Sequence, residues 1–566
     1  MFQVFYAGGI QGMNAYKVRV EADVSNGLPG FEMVGSLACE VREAKERVRV
    51  AMKNAGFPLP VARITVNLSP AQIKKEGTGY DLAIATAILA CMGMVKKEGL
   101  ENTAFLGELA LSGEVHKIDG ALPIALQLKK DGIQRLVIPW ANVEECRMVP
   151  GLTVVPMRDM QDLSAFLRTT EEERKEWEAR GDGVNGELDK SDFAQVNGGK
   201  DKPDFAQVNG GKDKSGFPQA NGGKDKQVFI QTNEKQDGLD FIQANSEQNV
   251  LDFSQVSGQE SMKRAACVAA AGFHHLLFSG PPGAGKSMIA QRIPGILPPL
   301  TKEEQLEVMS IYSIAGKPLT RMRPFQAPHH TISPQALAGG GRIPKPGVLS
   351  LAHRGILFLD EMPEFSANVL EVLRQPLEEK KVQIARTQGV YRYPADFMLV
   401  CALNPCPCGY FPDRNRCRCT EPEIRHYLGK ISGPILDRID ICVEAAPVTI
   451  KDLEGPASGY DTKTLRAMVE EAREMQKKRY CGSSYAFNGE VSGNDVRKFC
   501  WLGEKEQRFL EQAYEAGQMS VRSYHKIIKL ARTIADLEHA DEISVAHLAE
   551  AICYHSGKRM FERRTE

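Results

Sequence analysis

The sequence predicts an α/β fold built around a phosphate-binding parallel sheet, and three observations predict it. A short apolar run, His275-Leu276-Leu277-Phe278, feeds a glycine-rich loop at 280–287, and a helical pattern follows from Met288. A second apolar run, Gly355 to Leu359, ends in the paired acids Asp360 and Glu361. A third, Met398 to Leu403, ends at Asn404. Short continuous apolar runs of this kind are the pattern of strands buried on both faces. In such sheets ligands sit at the carboxyl ends of the strands, which is where these polar residues fall.

The loop reads Gly280-Pro281-Pro282-Gly283-Ala284-Gly285-Lys286-Ser287, the P-loop pattern in its strand–loop–helix context. Its glycines let backbone N–H groups curl around phosphate oxygens, and the helix N-terminus adds favourable partial charge. The expected ligand is ATP. Lys286 is expected to reach the β- and γ-phosphates, and the Ser287 hydroxyl to ligate Mg²⁺. Asp360 would hold the same Mg²⁺ through water, and Glu361 would polarise the attacking water. Asn404 either orients that water or simply forms a turn. Phosphoryl transfer also needs positive charge at the γ-phosphate, often an arginine from a neighbouring subunit. Arg438 in Leu436-Asp437-Arg438-Ile439-Asp440 is one candidate. Arg522 in Ser520-Val521-Arg522-Ser523, just before a helix, is the second. The alternative for each arginine is a surface ion pair.

The chain has 566 residues, room for roughly two to four domains. Hydrophobic content of 42% and charged content of 25% are those of a soluble globular protein. A formal net charge of −1 excludes a global pull toward nucleic acid, so any such site must be a local basic patch. The absence of a long apolar run argues against a membrane span, and the N-terminus, Met1-Phe2-Gln3-Val4, has no signal-peptide pattern. The expected compartment is the cytoplasm. Thirteen cysteines, an odd number, suit reduced thiols better than a disulfide framework.

Residues 1–168 alternate strand-like and helix-like segments, an α+β pattern. Ala62 to Leu68 and Leu136 to Pro139 read as strands, and Asp81 to Met94 reads as a buried helix. From 169 to 250 the composition turns to Gly, Asn, Lys, Asp and Gln. Phe193, Phe205, Phe217, Phe229, Phe241 and Phe253 stand twelve residues apart there. Two copies read DFAQVNGGKDK, a third reads GFPQANGGKDK, and two more decay to VFIQTNEKQDG and DFIQANSEQNV. The sixth, from Asp252, opens the next domain, so the repeat looks like tandem copying of that domain's first segment. A binding array and an expanded flexible linker both fit. The linker is favoured, because such copies cannot bury a core.

Together the glycine-rich loop, the Asp360–Glu361 strand, Asn404, LDRID and SVRSYHKIIKLARTIADLE resemble the magnesium-chelatase-like AAA+ ATPases. The segments FQAPHHTISPQALAGGG, NPCPCGY and DFSQVSGQ point within them to the YifB/ComM subfamily. The resemblance covers nearly the whole chain except the repeats. It implies Walker A at Lys286/Ser287, Walker B at Asp360/Glu361, sensor 1 at Asn404, an arginine finger at Arg438 and sensor 2 at Arg522. It also implies an AAA+ core over 251–447, a helical lid over 448–566, and a homo-oligomeric ring, a hexamer, since the finger acts in trans. ComM proteins of this subfamily are implicated as DNA branch-migration helicases. The first domain resembles the Lon protease catalytic domain through Lys75 to Asp81, Leu106 to Leu109, Gly113 to Val115 and Leu136 to Pro139. Gly79 and Leu122 stand at the serine and lysine positions of its dyad, so no peptidase is expected.

Two further clusters carry expectations. Cys406, Cys408, Cys417 and Cys419 are two close pairs on a Gly/Pro-rich loop, fit either for a Zn²⁺ site or for reduced thiols. Between 380 and 393, Val382, Ile384, Val390 and the tyrosines alternate with polar residues around Thr387-Gln388-Gly389, a β-hairpin pattern. Ring helicases of related type carry such a hairpin at the pore. Arg386, with Arg392, Lys380 and Lys381, is therefore the expected DNA contact, against an exposed hairpin that is merely soluble. A DNA-translocating helicase, the motor subunit of a metal chelatase, and a scaffold with a degenerate site compete as functions. The intact acids and arginines disfavour the scaffold, and the first domain disfavours the chelatase motor.

Overall fold

The computed structural model describes residues 1–179, 251–386, 389–446, 460–517 and 519–565; the repeat array lies outside them. In the N-terminal domain seven strands form one mixed sheet. Its centre is the antiparallel hairpin Phe2–Gln11/Asn14–Ser25. Strands Arg63–Ser69 and Gly30–Val34 extend it on one side, and the parallel strands Thr103–Phe105, Arg135–Pro139 and Thr153–Met157 on the other. Helix Asp81–Cys91 packs on the central hairpin, and all its residues are buried, as a helix without a polar face must be. The ordered domain runs past Arg168. Helix Glu171–Ala179 folds back so that Trp177 meets Phe166 edge-on, and the fully buried Arg174 donates to the Lys96 carbonyl at 2.7 Å.

The next domain is a five-stranded parallel sheet. In chain order its strands are Leu276–Ser279, Phe325–Gln326, Ile356–Leu359, Met398–Leu403 and Ile441–Glu444. Across the sheet they run fifth, first, fourth, third, second, all parallel. The first strand is thus flanked by the fourth and fifth, which carries the loop after it to the middle of the carboxyl edge. Helices Thr462–Arg479, Glu504–Ala516, Val521–Leu537 and Val545–Thr565 follow. Helix Val521–Leu537 buries Ile527, Ile528, Leu530, Ala531 and Ile534, and its Asp536 is clasped by Arg479 and Arg532.

The N-terminal domain and the parallel-sheet domain share packing. Helix Lys302–Ala315, opened by a Thr301/Glu304 capping box, lies against helix Ala121–Lys130. Met309 joins the N-terminal core, the Gly120 amide donates to the Ser313 carbonyl at 2.9 Å, and Lys345 pairs with Asp119 at 2.7 Å. Among the described residues no helix is long and apolar enough to cross a membrane.

Candidate nucleotide site

The strand register brings four of the sequence-predicted side chains to one place. Ser279 pairs with Leu403, and Leu359 with Cys401, so Gly280, Asn404 and Asp360 leave adjacent strand ends on the same edge. Helix Lys286–Arg292 starts at Gly285, which has φ +83°, and Gly283 has φ +78°; both need the freedom of glycine. Gly280 is required for another reason: a Cβ there would lie 2.6 Å from that of Ala445. The Lys286 ammonium is held by the carbonyls of Gly280 at 2.7 Å and Pro281 at 2.9 Å, and by Asn404 Oδ1 at 3.1 Å. Burial pushes its pKa below the ordinary value, while Asp360 and Glu361 pull it back up. Ser287 Oγ donates to Asp360 Oδ2 at 2.6 Å.

These groups fit Mg²⁺ and a polyphosphate. A hydroxyl and a carboxylate in contact at the mouth of a P-loop are the hard oxygen donors such an ion takes alongside phosphate oxygens. Glu361 follows at φ +50°, an uncommon conformation for a residue with a side chain, with its amide donating to Asp360 Oδ1 at 3.0 Å. Both acids are exposed at the strand end.

The two arginines are not part of this cluster. Arg438 pairs with Glu378 from helix Arg374–Glu379 and donates to the Pro434 carbonyl. Arg522 is exposed in the first turn of helix Val521–Leu537. That helix is tied to the Arg438 segment by Lys526, which donates to the Ile439 carbonyl at 3.2 Å and pairs with Asp440 at 2.8 Å. Burial alone would raise the Asp440 carboxyl, but Lys526 and His274 hold it well below the usual range.

The four cysteines of the 406–419 loop converge. Cys406 Sγ lies 3.4 Å from Cys408 Sγ and 3.7 Å from Cys417 Sγ, and Cys408 and Cys417 are 3.6 Å apart. All four sulfurs, Cys419 included, fall within 4.8 Å of one another, and none forms a disulfide. Four thiolates around Zn²⁺ at about 2.3 Å would stand about 3.8 Å apart, so the set fits that ion. The loop also touches the nucleotide site. Gly409, at φ +83°, packs so closely that a Cβ would lie 2.5 Å from Pro282 Cδ.

The hairpin is present as Lys381–Arg386 paired with Gly389–Pro394. Val382, Ile384, Tyr391 and Tyr393 form its buried face, and Arg386 and Arg392 are exposed. Lys380 is not available with them. It pairs with Asp396 at 3.1 Å and Glu490 at 2.8 Å, bridging the sheet domain to the C-terminal helices. Lys381 lies 3.6 Å from Glu379. The hairpin leans on the N-terminal domain, where Tyr391 donates to Glu76 at 3.3 Å.

Three family profiles match in succession: "Subunit ChlI of Mg-chelatase" over residues 20–142, "Magnesium chelatase, subunit ChlI" over 252–453, and "Magnesium chelatase, subunit ChlI C-terminal" over 459–555. Competence protein ComM of Haemophilus influenzae is 35% identical over 571 residues, 99% of this chain and 98% of that protein. An uncharacterized protein YifB of Salmonella typhimurium is 36% identical over 554 residues, 97% of this chain and 96% of that protein. The chain belongs to the YifB/ComM subfamily of magnesium-chelatase-like proteins. The magnesium-chelatase 67 kDa subunit of Chlorobaculum parvum is similar over a shorter stretch, 27% identical over 207 residues, 34% of this chain and 28% of that protein. Membership in this family implies an AAA+ ATPase. Three residues of this surrounding escaped the sequence: Glu378 beside Arg438, Lys526 on Asp440, and Glu76 under the hairpin. Each contact joins segments distant in the chain, and no local pattern marks it.

Proposed function

We propose that the chain is a ring-forming, ATP-hydrolysing motor that translocates DNA, a branch-migration helicase of the ComM type. The observation that carries this reading is the end-to-end likeness to ComM, N-terminal domain included, around an intact P-loop cluster. In it, Lys286 and the loop amides hold ATP, Ser287 and Asp360 hold Mg²⁺, and Glu361, with Asn404, orients the attacking water. Mg²⁺ supplies charge neutralisation at the phosphates. Arg438 and Arg522 complete the site, Arg438 from the neighbouring subunit of a homo-hexamer, and the C-terminal helices act as its lid. The N-terminal domain is Lon-protease-like but has no nucleophile at the dyad positions. At the dyad positions stand Gly79, which has no side chain to react, and Leu122, which is fully buried. Its use here is to support the hairpin through Glu76 and Tyr391.

DNA would be gripped by Arg386 and Arg392, with help from Lys381. Phosphate contacts are independent of sequence and sensitive to salt. Arg386→Ala/Arg392→Ala should therefore weaken DNA binding uniformly across sequences and flatten the log–log salt slope by about 1 to 2. It should also abolish DNA stimulation while basal ATP hydrolysis persists. Unchanged affinity and stimulation would remove the hairpin from the DNA path. The partial likeness to a chelatase subunit favours a second reading, a metal-chelatase motor. It predicts ATP hydrolysis indifferent to DNA, so one titration of the ATPase with DNA separates the two.

We assign Cys406, Cys408, Cys417 and Cys419 to a structural Zn²⁺ that stiffens the loop behind Pro282. Metal analysis of the purified chain should find about one zinc per chain, and Cys406→Ser/Cys417→Ser should remove it and weaken ATP binding. Four freely titrating thiols in the native protein would refute the assignment.

A further inference from the structure

Asp440 joins three segments of the chain. Its Oδ2 accepts from the His275 amide at 3.1 Å and lies 3.6 Å from His274 Nδ1, where the chain enters the strand that feeds the P-loop. The His275 carbonyl in turn accepts from the Asp440 and Ile441 amides, each at 3.0 Å. On its other oxygen, Asp440 pairs with Lys526 at 2.8 Å, and Lys526 also donates to the Ile439 carbonyl at 3.2 Å. Asp440 follows Arg438 by two residues. Lys526 follows Arg522 by four, one turn on along the same face of helix Val521–Leu537. Within one chain, a single ion pair therefore stands between the segment of Arg438 and the helix turn of Arg522.

The pair is set below the surface. The side chains of Lys526 and Asp440 are 18% and 14% exposed, and Ile439 is buried between the two charged residues and the sheet. An ammonium held by a carboxylate and a carbonyl together is fixed in direction as well as distance, unlike an exposed pair that solvent screens. The same helix is tied down further along. Lys529 donates to the Gly489 and Val491 carbonyls at 2.9 and 3.2 Å, and Thr533 Oγ1 lies 2.9 Å from His274 Nε2. Those ties hold the middle of the helix, so a movement of its first turn toward a ligand at Arg522 reaches the Arg438 segment through Lys526.

We propose that the Lys526–Asp440 pair is a positioning joint that relays the state of a chain's own nucleotide site to the arginine it offers to its neighbour. The proposal rests on the reading of Arg438 as the trans-acting arginine and of Arg522 as part of the chain's own site. ATP that draws Arg522 toward its phosphates shifts the first turns of the helix. Lys526 then pulls Ile439 and Asp440 with it, and Arg438, just ahead of them, exchanges Glu378 for the neighbour's phosphate. Occupancy of one site thereby sets the aim of the arginine at the next, which couples hydrolysis around the ring.

The test compares three full-length backgrounds: the parent, Lys526→Met and Lys526→Arg. Each is mixed in rising proportion with subunits of the same background that also carry Glu361→Gln. A Glu361→Gln subunit silences its own site but still offers an intact Arg438, so sites that do not communicate lose activity in simple proportion. With one subunit in six silenced, an uncoupled hexamer keeps about five-sixths of its turnover, whereas a ring that stops when any site stops keeps about a third. The parent should follow the steep curve. Lys526→Met should follow the straight line, with its KM for ATP within about twofold of the parent's. Lys526→Arg, which keeps the charge, should follow the steep curve again. A lysine that only stabilises the fold would lower the unfolding midpoint of Lys526→Met and leave its curve steep, and that result overturns the proposal. A straight line for Lys526→Arg overturns it too, since the charge would then not carry the coupling. If Lys526→Met does not assemble, Asp440→Asn, which keeps an acceptor for the His275 amide, replaces it; failure of both to assemble also overturns the proposal. So does a straight line in the parent. Recovery of activity in mixtures of Arg438→Ala and Glu361→Gln subunits then shows that the trans-acting arginine stands without the joint, and no recovery shows that both fall.

Discussion

Glutamine at position 361 is expected to leave ATP bound and to cut turnover by about a hundredfold or more. The substitution keeps the size of the side chain and spares every contact that would hold nucleotide. Lys286 stays on the Gly280 and Pro281 carbonyls and on Asn404, and Ser287 stays 2.6 Å from Asp360. What is lost is the carboxylate that would take a proton from water. Backbone strain is not a confounder, because glutamine tolerates the φ of +50° at this position no worse than glutamate. Lys286→Ala behaves differently and should weaken binding itself. Phosphate release and equilibrium binding of a fluorescent ATP analogue separate the two variants. Parental turnover in Glu361→Gln would mean that another group activates the water.

The parts of the site that could be read from the sequence are those whose chemistry is local. Gly280–Ser287 announces itself because the strand, the loop and the helix are consecutive. Asp360–Glu361 and Asn404 do so because each ends its own apolar run, and one parallel sheet then aligns the ends. The four cysteines are close in sequence, and their thiols converge. Lys380 is the opposite case. Beside the hairpin it looks like one more cation, but Asp396 and Glu490, sixteen and 110 residues on, claim it. Burial would lower its pKa, and those two acids hold it above the usual value instead. Helix Glu171–Ala179 has the composition of a solvated run, so its sequence does not mark it as part of a folded domain. Only the fold shows that Arg174 and Trp177 turn inward. The contact between Tyr391 and Glu76 crosses 315 residues and has no sequence signature at all.

Arg438→Ala is expected to keep nucleotide affinity and to lower ATP turnover by about a thousandfold, the scale of an arginine that stabilises charge at a transferring phosphoryl group. In the free chain its guanidinium is spoken for by Glu378 and the Pro434 carbonyl, away from the chain's own Lys286 and Asp360. Service to a neighbouring subunit requires exchanging Glu378 for a phosphate, and the short tie from Lys526 to Ile439 and Asp440 limits how far the segment can travel as it does so. A trans-acting arginine makes a prediction that a structural arginine does not. Mixed with Glu361→Gln subunits, Arg438→Ala subunits should recover activity, although each preparation alone is nearly silent. Wherever a Glu361→Gln subunit offers its intact Arg438 to an Arg438→Ala subunit with an intact Glu361, one complete site forms. Random mixing places such pairs at about a quarter of interfaces, so recovery should peak near equal proportions and vanish when the ring is dissociated by dilution. Absence of recovery in rings shown to contain both subunits, or full activity in a purified monomer of the parent, would remove Arg438 from the neighbour's site and leave it as the partner of Glu378.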